Sequence, residues 1–95
     1  MRSYEVMYIL NPTLEEEAID GLIERFNGII TQDGGEIESV DKWGKRRLAY
    51  EIDKVQEGFY VVTKFRAEIS ACDELKRIMG ITNDVLRYLL VRQDG

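Results

Sequence analysis

Hydrophobic residues recur along this chain with a period of about 2 residues in some stretches and about 3.6 residues in others. Of all features of the sequence, this change of period restricts the possible folds most. The shorter period indicates a strand with one buried face, whereas the longer period indicates an amphipathic helix. The first stretch, Arg2 to Leu10, has the shorter period and is stopped by Asn11-Pro12, so it predicts a strand. We expect its core face to carry Tyr4, Val6, Tyr8 and Leu10, and its other face to carry Met7 and Ile9.

Capping residues predict where a first helix begins and ends. Thr13, followed by Glu16 three residues later, forms a capping box, so we expect a helix that starts at Leu14. Gly34 and Gly35 end this helix. We expect one of them to adopt the left-handed conformation that residues with a Cβ avoid.

A second helix is predicted between Ser70 and Gly80. Ser70 is the expected N-cap, with Asp73 three residues later, and Gly80 closes the helix. Cys72 falls on the apolar stripe of this helix. We therefore expect it to be a small core residue rather than a reactive thiol.

Three further extended segments complete the pattern. Residues from Glu36 to Ile52 form one long strand, and Gly44 interrupts its alternation, which predicts a bulge or kink. We place a turn from Asp53 to Gly58 and an antiparallel partner strand from Phe59 to Arg66. The last strand is expected from Val85 to Arg92.

The order β-α-β-β-α-β predicts an α+β, ferredoxin-like fold, formed by a single domain over residues 1–95. Right-handed crossovers favour a four-stranded antiparallel sheet in the order 4-1-3-2, with both helices on one face. The long second strand and the last strand are then the two edges, and Arg2 lies beside Arg92. This fold occurs in enzymes, metabolite sensors and RNA-binding proteins, so it does not determine the function.

Basic charge is concentrated in the long second strand. The whole chain has a formal net charge of −5, yet Val40 to Tyr50 contains 4 of the 13 basic residues, 1 acidic residue and the only tryptophan. Such a cluster suits phosphate or an acidic partner. On an edge strand it also discourages aggregation between sheets, and the charge alone leaves both interpretations open.

The residue types of the chain exclude much catalytic and metal chemistry. With no histidine and 1 cysteine, the chain has no Ser/His/Asp or Cys/His unit and no zinc site built from these ligands. The acidic residues from Glu15 to Glu24 lack the spacing of a calcium loop, so we expect no metal and no cofactor. The absence of a signal peptide and of a long apolar run predicts a cytoplasmic protein.

Two functions that occur on this fold fit the residues poorly. An RNA recognition motif needs a basic residue and stacking aromatics in the third strand, where this chain has Glu57 and Val61. Tyr8, the matching aromatic of the first strand, belongs to the core face. An enzyme of the acylphosphatase type needs an arginine in the loop after the first strand, which here is Asn11-Pro12-Thr13. We therefore expect neither base stacking on the sheet nor catalysis.

The segment from Gly44 to Ile52 resembles the G-x-R-R-L-A-Y-x-I motif of the bacterial ribosomal protein six family. Met1 to Glu5, Leu10-Asn11-Pro12 and Val85 to Tyr88 resemble the same family in register. The resemblance implies a non-catalytic structural component of the small ribosomal subunit. It also implies binding to the central domain of 16S ribosomal RNA together with ribosomal protein eighteen. A ferredoxin-like metabolite-sensing or dimerisation module is the alternative.

Positions that match the family suggest two sets of binding residues. The RNA set, which we expect to contact phosphates, consists of Arg2, Lys54, Arg87 and Arg92. The partner set, which we expect to contact protein eighteen, consists of Trp43, Arg46, Arg47, Leu48 and Tyr50. Leu48 fits a core position better than a contact, and Tyr50 fits either role.

Overall fold

Four strands and two helices form the structure, a computed structural model that describes residues 1–52 and 54–93. The elements in chain order are β1 (Arg2–Leu10), α1 (Glu16–Thr31), β2 (Glu36–Ile52), β3 (Val55–Ala67), α2 (Ile69–Ile81) and β4 (Val85–Arg92). The strands form one antiparallel sheet in the order β2-β3-β1-β4, which confirms the predicted ferredoxin-like fold. In the described part of the chain, neither helix is long and apolar enough to cross a membrane.

The main core lies between one face of the sheet and both helices. At its centre are the alternate residues of β1, namely Tyr4, Val6, Tyr8 and Leu10. The Tyr8 ring meets the Phe26 ring of α1 edge to face, with 5.2 Å between the ring centroids. Cys72 of α2 is buried in the same cluster, and burial raises the pKa of its thiol. The core positions predicted for Tyr8 and Cys72 are therefore confirmed.

The first helix begins without the predicted side-chain cap. The side-chain oxygen of Asn11 accepts hydrogen bonds from the Thr13 backbone N–H at 3.0 Å and from the Thr13 hydroxyl at 2.8 Å. Because Thr13 takes part in this local turn, it does not cap the helix. The helix starts at Glu16 instead of Leu14, so the predicted capping box was wrong.

The second helix also begins earlier than predicted. Since β3 continues to Ala67, the chain enters α2 almost directly, and the first helical residue is Ile69. Ser70 therefore lies inside the first turn, and its prediction as the N-cap was wrong. At the other end Gly80 does not close the helix, which continues to Ile81.

The two glycines after α1 leave the helix as the sequence predicts. Gly34 adopts a φ of 86°, which confirms the left-handed glycine expected here. At Gly35 an added Cβ would lie 2.0 Å from the carbonyl oxygen of Ile30. The chain thus passes too close to the end of α1 for any side chain at that position.

The connection between β2 and β3 is tighter than predicted. Ile52 pairs with Val55, so the turn expected from Asp53 to Gly58 was too long. The position of Asp53 itself lies outside the described residues. Lys54, the other residue of this connection, has a left-handed φ of 66°. The sequence suggested a longer turn because Gly58 resembles a turn residue.

Gly58 is instead a strand residue on which another strand packs closely. It is buried in β3, and an added Cβ would lie 2.2 Å from the Cγ2 atom of Ile9 in β1. Ile9 is itself buried and branched at Cβ, so it has little room to move. Glycine is therefore required by a tertiary contact and not by a turn.

Replacing Gly58 by alanine should destabilise the protein by about 1–3 kcal/mol, because the added methyl group overlaps the Ile9 side chain. The control Gly28→Ala adds a methyl group to α1 with nothing within 4 Å. It should stabilise the protein by about 0.5–1 kcal/mol. Urea denaturation measures both variants, and equal stabilities would contradict the close contact.

Candidate interface on the open face of the sheet

The sheet face opposite the helices, called the open face below, carries its own small apolar layer. Met7 and Ile9 of β1 lie there beside Val62 and Tyr60 of β3, their partners in the register. Ile9 is 4% exposed and Val62 is 8% exposed, although both point away from the helices. Ile9 lies beside the far end of β2, with which it lines one cavity.

A bulge in β2 determines which of its side chains reach the open face. Gly44 has a φ of 82°, and the register with β3 shifts between Lys42 and Gly44, which confirms the predicted interruption. Lys42 faces α1, where its Nζ lies 2.6 Å from Oδ1 of Asp20, a hydrogen bond that raises the pKa of Lys42. From the bulge onward, the side chains of Trp43, Arg46, Leu48 and Tyr50 reach the open face.

Trp43 and Arg46 form an exposed cluster with Tyr60. The Trp43 and Tyr60 rings are stacked, with centroids 6.1 Å apart and planes 9° apart. The guanidinium carbon of Arg46 lies 5.2 Å from the centroid of the Trp43 ring, a cation–π contact. Trp43 remains 43% exposed. The cluster therefore offers an aromatic surface with a positive charge beside it.

Leu48 attaches the far end of β2 to the apolar layer. It is 9% exposed and lines a cavity of about 170 Å³ together with Met7 and Ile9. The pairing of β2 with β3 shifts between Arg47 and Ile52, so side-chain contacts hold this part of the strand. Leu48 is thus buried, as one interpretation of the sequence predicted. Arg47 is exposed and lies on the other side of the strand.

Tyr50 connects the two edges of the sheet. Its hydroxyl accepts a hydrogen bond from Nη1 of Arg87 in β4, and Cζ of Arg87 lies 5.0 Å from the Tyr50 ring centroid. In a flat sheet, edge strands separated by two others are about 14 Å apart. Tyr50 and Ile52 also line one cavity with Met7 of β1, so the end of β2 bends across the open face. It joins one residue of the partner set to one residue of the RNA set.

Arg2 and Arg92 lie at the other end of the sheet, on the side of the helices. Both line a cleft of about 680 Å³ beside the start of α2, as the predicted strand order requires. In the same cleft the Met1 ammonium group lies 3.4 Å from the Glu68 carboxylate. Of the residues that the structure describes, three cationic groups and one carboxylate line this space.

The pKa of Tyr4 depends on the charges in this cleft. Burial raises the pKa of its hydroxyl, and the nearby Cys72 thiol adds to that effect, whereas Arg92 and Arg2 lower it. Both guanidinium groups therefore lie close enough to the Tyr4 hydroxyl to lower its pKa. The RNA set is divided among three places, with Arg2 and Arg92 in the cleft, Arg87 on the open face and Lys54 at the β2–β3 connection.

Tyr60 is the surface residue that reasoning from the sequence missed. The comparison with RNA recognition motifs directed attention to Phe59, which packs against the main core. Tyr60 follows it in β3 and faces the other way, beside Ile9. The alternation of β3 was the signal that could have identified it.

This arrangement defines an α+β protein of the ferredoxin-like class with one open sheet face. One face of the sheet is sealed by helices, while the other presents exposed aromatic and arginine side chains. Within residues 1–52 and 54–93, no group of three or more acidic, cysteine or histidine side chains could hold a metal ion.

Comparison with known proteins identifies the family. The model of the family described as ribosomal protein S6 matches residues 3–92. The chain is 51% identical over 94 residues to the small ribosomal subunit protein bS6 of Carboxydothermus hydrogenoformans, across 99% of this chain and 98% of that protein. It is 55% identical to bS6 of Thermoanaerobacter pseudethanolicus, across 99% of each chain. The chain belongs to the ribosomal protein S6 family, and it is a structural, non-enzymatic component of the ribosome.

A solved structure of the family agrees with this assignment. The crystal structure of 30S ribosomal protein S6 from Thermotoga maritima matches with a TM-score of 0.90 at 36% sequence identity. The match covers 97% of this chain and 87% of that chain. The two proteins therefore share the whole sheet and both helices.

Replacing Gly44 by alanine should strain the bulge, because a left-handed residue with a Cβ costs about 1–2 kcal/mol. No atom lies within 4 Å of an added Cβ, so the backbone conformation alone determines this cost. The matched variant Gly44→Asn should lose less stability, since asparagine tolerates the left-handed region. Urea denaturation followed by Trp43 fluorescence measures both, and equal stability of all three proteins would refute the strain.

Proposed function

We propose that this chain binds the central domain of 16S ribosomal RNA together with ribosomal protein eighteen, as part of the small ribosomal subunit in the cytoplasm. The observation that carries the proposal is the bulge at Gly44, which gathers Trp43, Arg46 and Tyr50 on one exposed face. Aromatic residues and arginine are enriched at protein interfaces and at their energetic centres. The open face is therefore the surface for protein eighteen, with Leu48 supporting it from beneath.

The RNA set suits phosphate contacts rather than the reading of bases. A chain with a net charge of −5 does not attract RNA through its overall field, so local cations have to do so. Guanidinium groups bind phosphate oxygens through parallel N–H donors. The cleft with Arg2 and Arg92 is the first place for a phosphate, and Arg87 and Lys54 supply further contacts.

Few phosphate contacts imply weak binding by the chain alone. Each contact contributes about 0.9 to the slope of log K against log salt concentration. A docked protein eighteen adds its own contacts to the same RNA, so the two proteins bind with higher affinity together than either does alone.

Titration of a central-domain fragment of 16S ribosomal RNA, with and without protein eighteen, tests this function. We expect weak and salt-sensitive binding by the isolated chain, and tighter binding when the partner is present. Tight binding by the isolated chain that does not change with salt would contradict the mechanism. Failure to bind either protein eighteen or RNA would refute the proposed function.

Variants of the two surfaces should separate the two activities. The variant Arg46→Ala should weaken pairing with protein eighteen by about 1–2 kcal/mol. Arg92→Ala should leave pairing intact and lower the salt slope of RNA binding by about one. Arg25→Ala removes an exposed arginine of α1 that belongs to neither set, and it serves as the control. The reverse pattern would overturn the assignment of the two surfaces.

A further inference from the structure

The contact between Tyr50 and Arg87 joins two activities that the proposed function assigns to separate sets. Tyr50 belongs to the partner set and Arg87 to the RNA set, and the side chains are 37 residues apart in sequence. The guanidinium group donates to the Tyr50 hydroxyl and lies over its ring. Any change in the position of Tyr50 therefore changes the position of the Arg87 charge.

The end of β2 pairs less regularly with β3 than the preceding part of the strand does. Its register with β3 shifts between Arg47 and Ile52, so the ladder does not fix the residues in between. Leu48 in the apolar layer and Tyr50 on Arg87 hold them instead. Segments held by few contacts are the ones that a binding partner orders most.

The hydrogen bond leaves Arg87 able to bind a phosphate. A guanidinium group has five N–H donors, and the bond to Tyr50 uses one nitrogen of the three. The tyrosine hydroxyl is a neutral acceptor, so the positive charge of Arg87 is not cancelled. Tyr50 thus orients a cation without neutralising it.

We propose that Tyr50 is a positioning residue through which this chain couples the binding of protein eighteen to the binding of RNA. Protein eighteen, docked on the open face, fixes the end of β2 and with it Tyr50. Tyr50 then holds the Arg87 guanidinium group in the direction of a phosphate. This inference rests on the proposed function and names the contact through which its two ligands are coupled.

The variant Tyr50→Phe tests the inference, because it keeps the ring and removes the hydroxyl that accepts the bond. The quantity to measure is the coupling factor, the ratio of RNA affinities with and without protein eighteen. We expect this factor to fall about threefold to tenfold, with little change in the RNA affinity of the isolated chain. The control Tyr88→Phe makes the same chemical change next to Arg87 in β4, at a residue that packs against the main core and belongs to neither set, and it should leave the factor unchanged.

A second comparison shows whether Tyr50 acts through Arg87. The variant Arg87→Ala should lower the coupling factor, and adding Tyr50→Phe to it should cause no further loss. An unchanged factor in Tyr50→Phe, or additive losses in the double variant, would overturn the inference. Tighter RNA binding by isolated Tyr50→Phe would also overturn it, because the bond would then compete with the phosphate. A wild-type chain that binds protein eighteen and RNA independently would refute the proposed cooperativity itself.

Discussion

Gly44 holds a left-handed conformation in the middle of the longest strand, and the direction of every later side chain in β2 depends on it. Trp43 lies on the open face. In a regular strand the residues 46, 48 and 50 would then face the helices, because successive side chains alternate. The bulge adds one residue and reverses this order, so that Arg46, Leu48 and Tyr50 join Trp43. The left-handed φ of Gly44 thus places the Arg46 guanidinium group beside the aromatic ring of Trp43 on the open face.

The two faces of the sheet are stabilised in different ways. The helix side has a closed core, in which Tyr8, Phe26 and residues of both helices are buried. Among the described residues, the large buried side chains of the open face are those of Ile9, Val62 and Leu48, and Leu48 is contributed by the bent end of β2. A large buried core thus supports a thinner apolar layer on the open face. Binding surfaces are commonly drawn from such less stable parts of a fold.

Structural features with a local signal in the sequence were predicted correctly. Features without such a signal were not. Strand alternation predicted β1 and β4, and the irregular position of Gly44 predicted the bulge. The start of α1 could not be predicted, because the Asn11 side chain competes for Thr13. The role of Gly58 depends on Ile9, and the contact of Tyr50 with Arg87 crosses two strands. The binding residues came from a family resemblance, and no pattern in the chain links the two sets.

The division of the cationic residues restricts the path of any RNA that contacts this chain. In the register of β1 with β4, Arg92 is opposite Tyr4 and Arg87 is opposite Ile9. These positions are about 17 Å apart along the strand, and the two side chains point to opposite faces. A nucleic acid that reaches both has to curve around the outer edge of β4 or approach as two separate segments. Under the proposed function, an RNA held by both arginines would have two neighbouring segments kept apart by the width of β4.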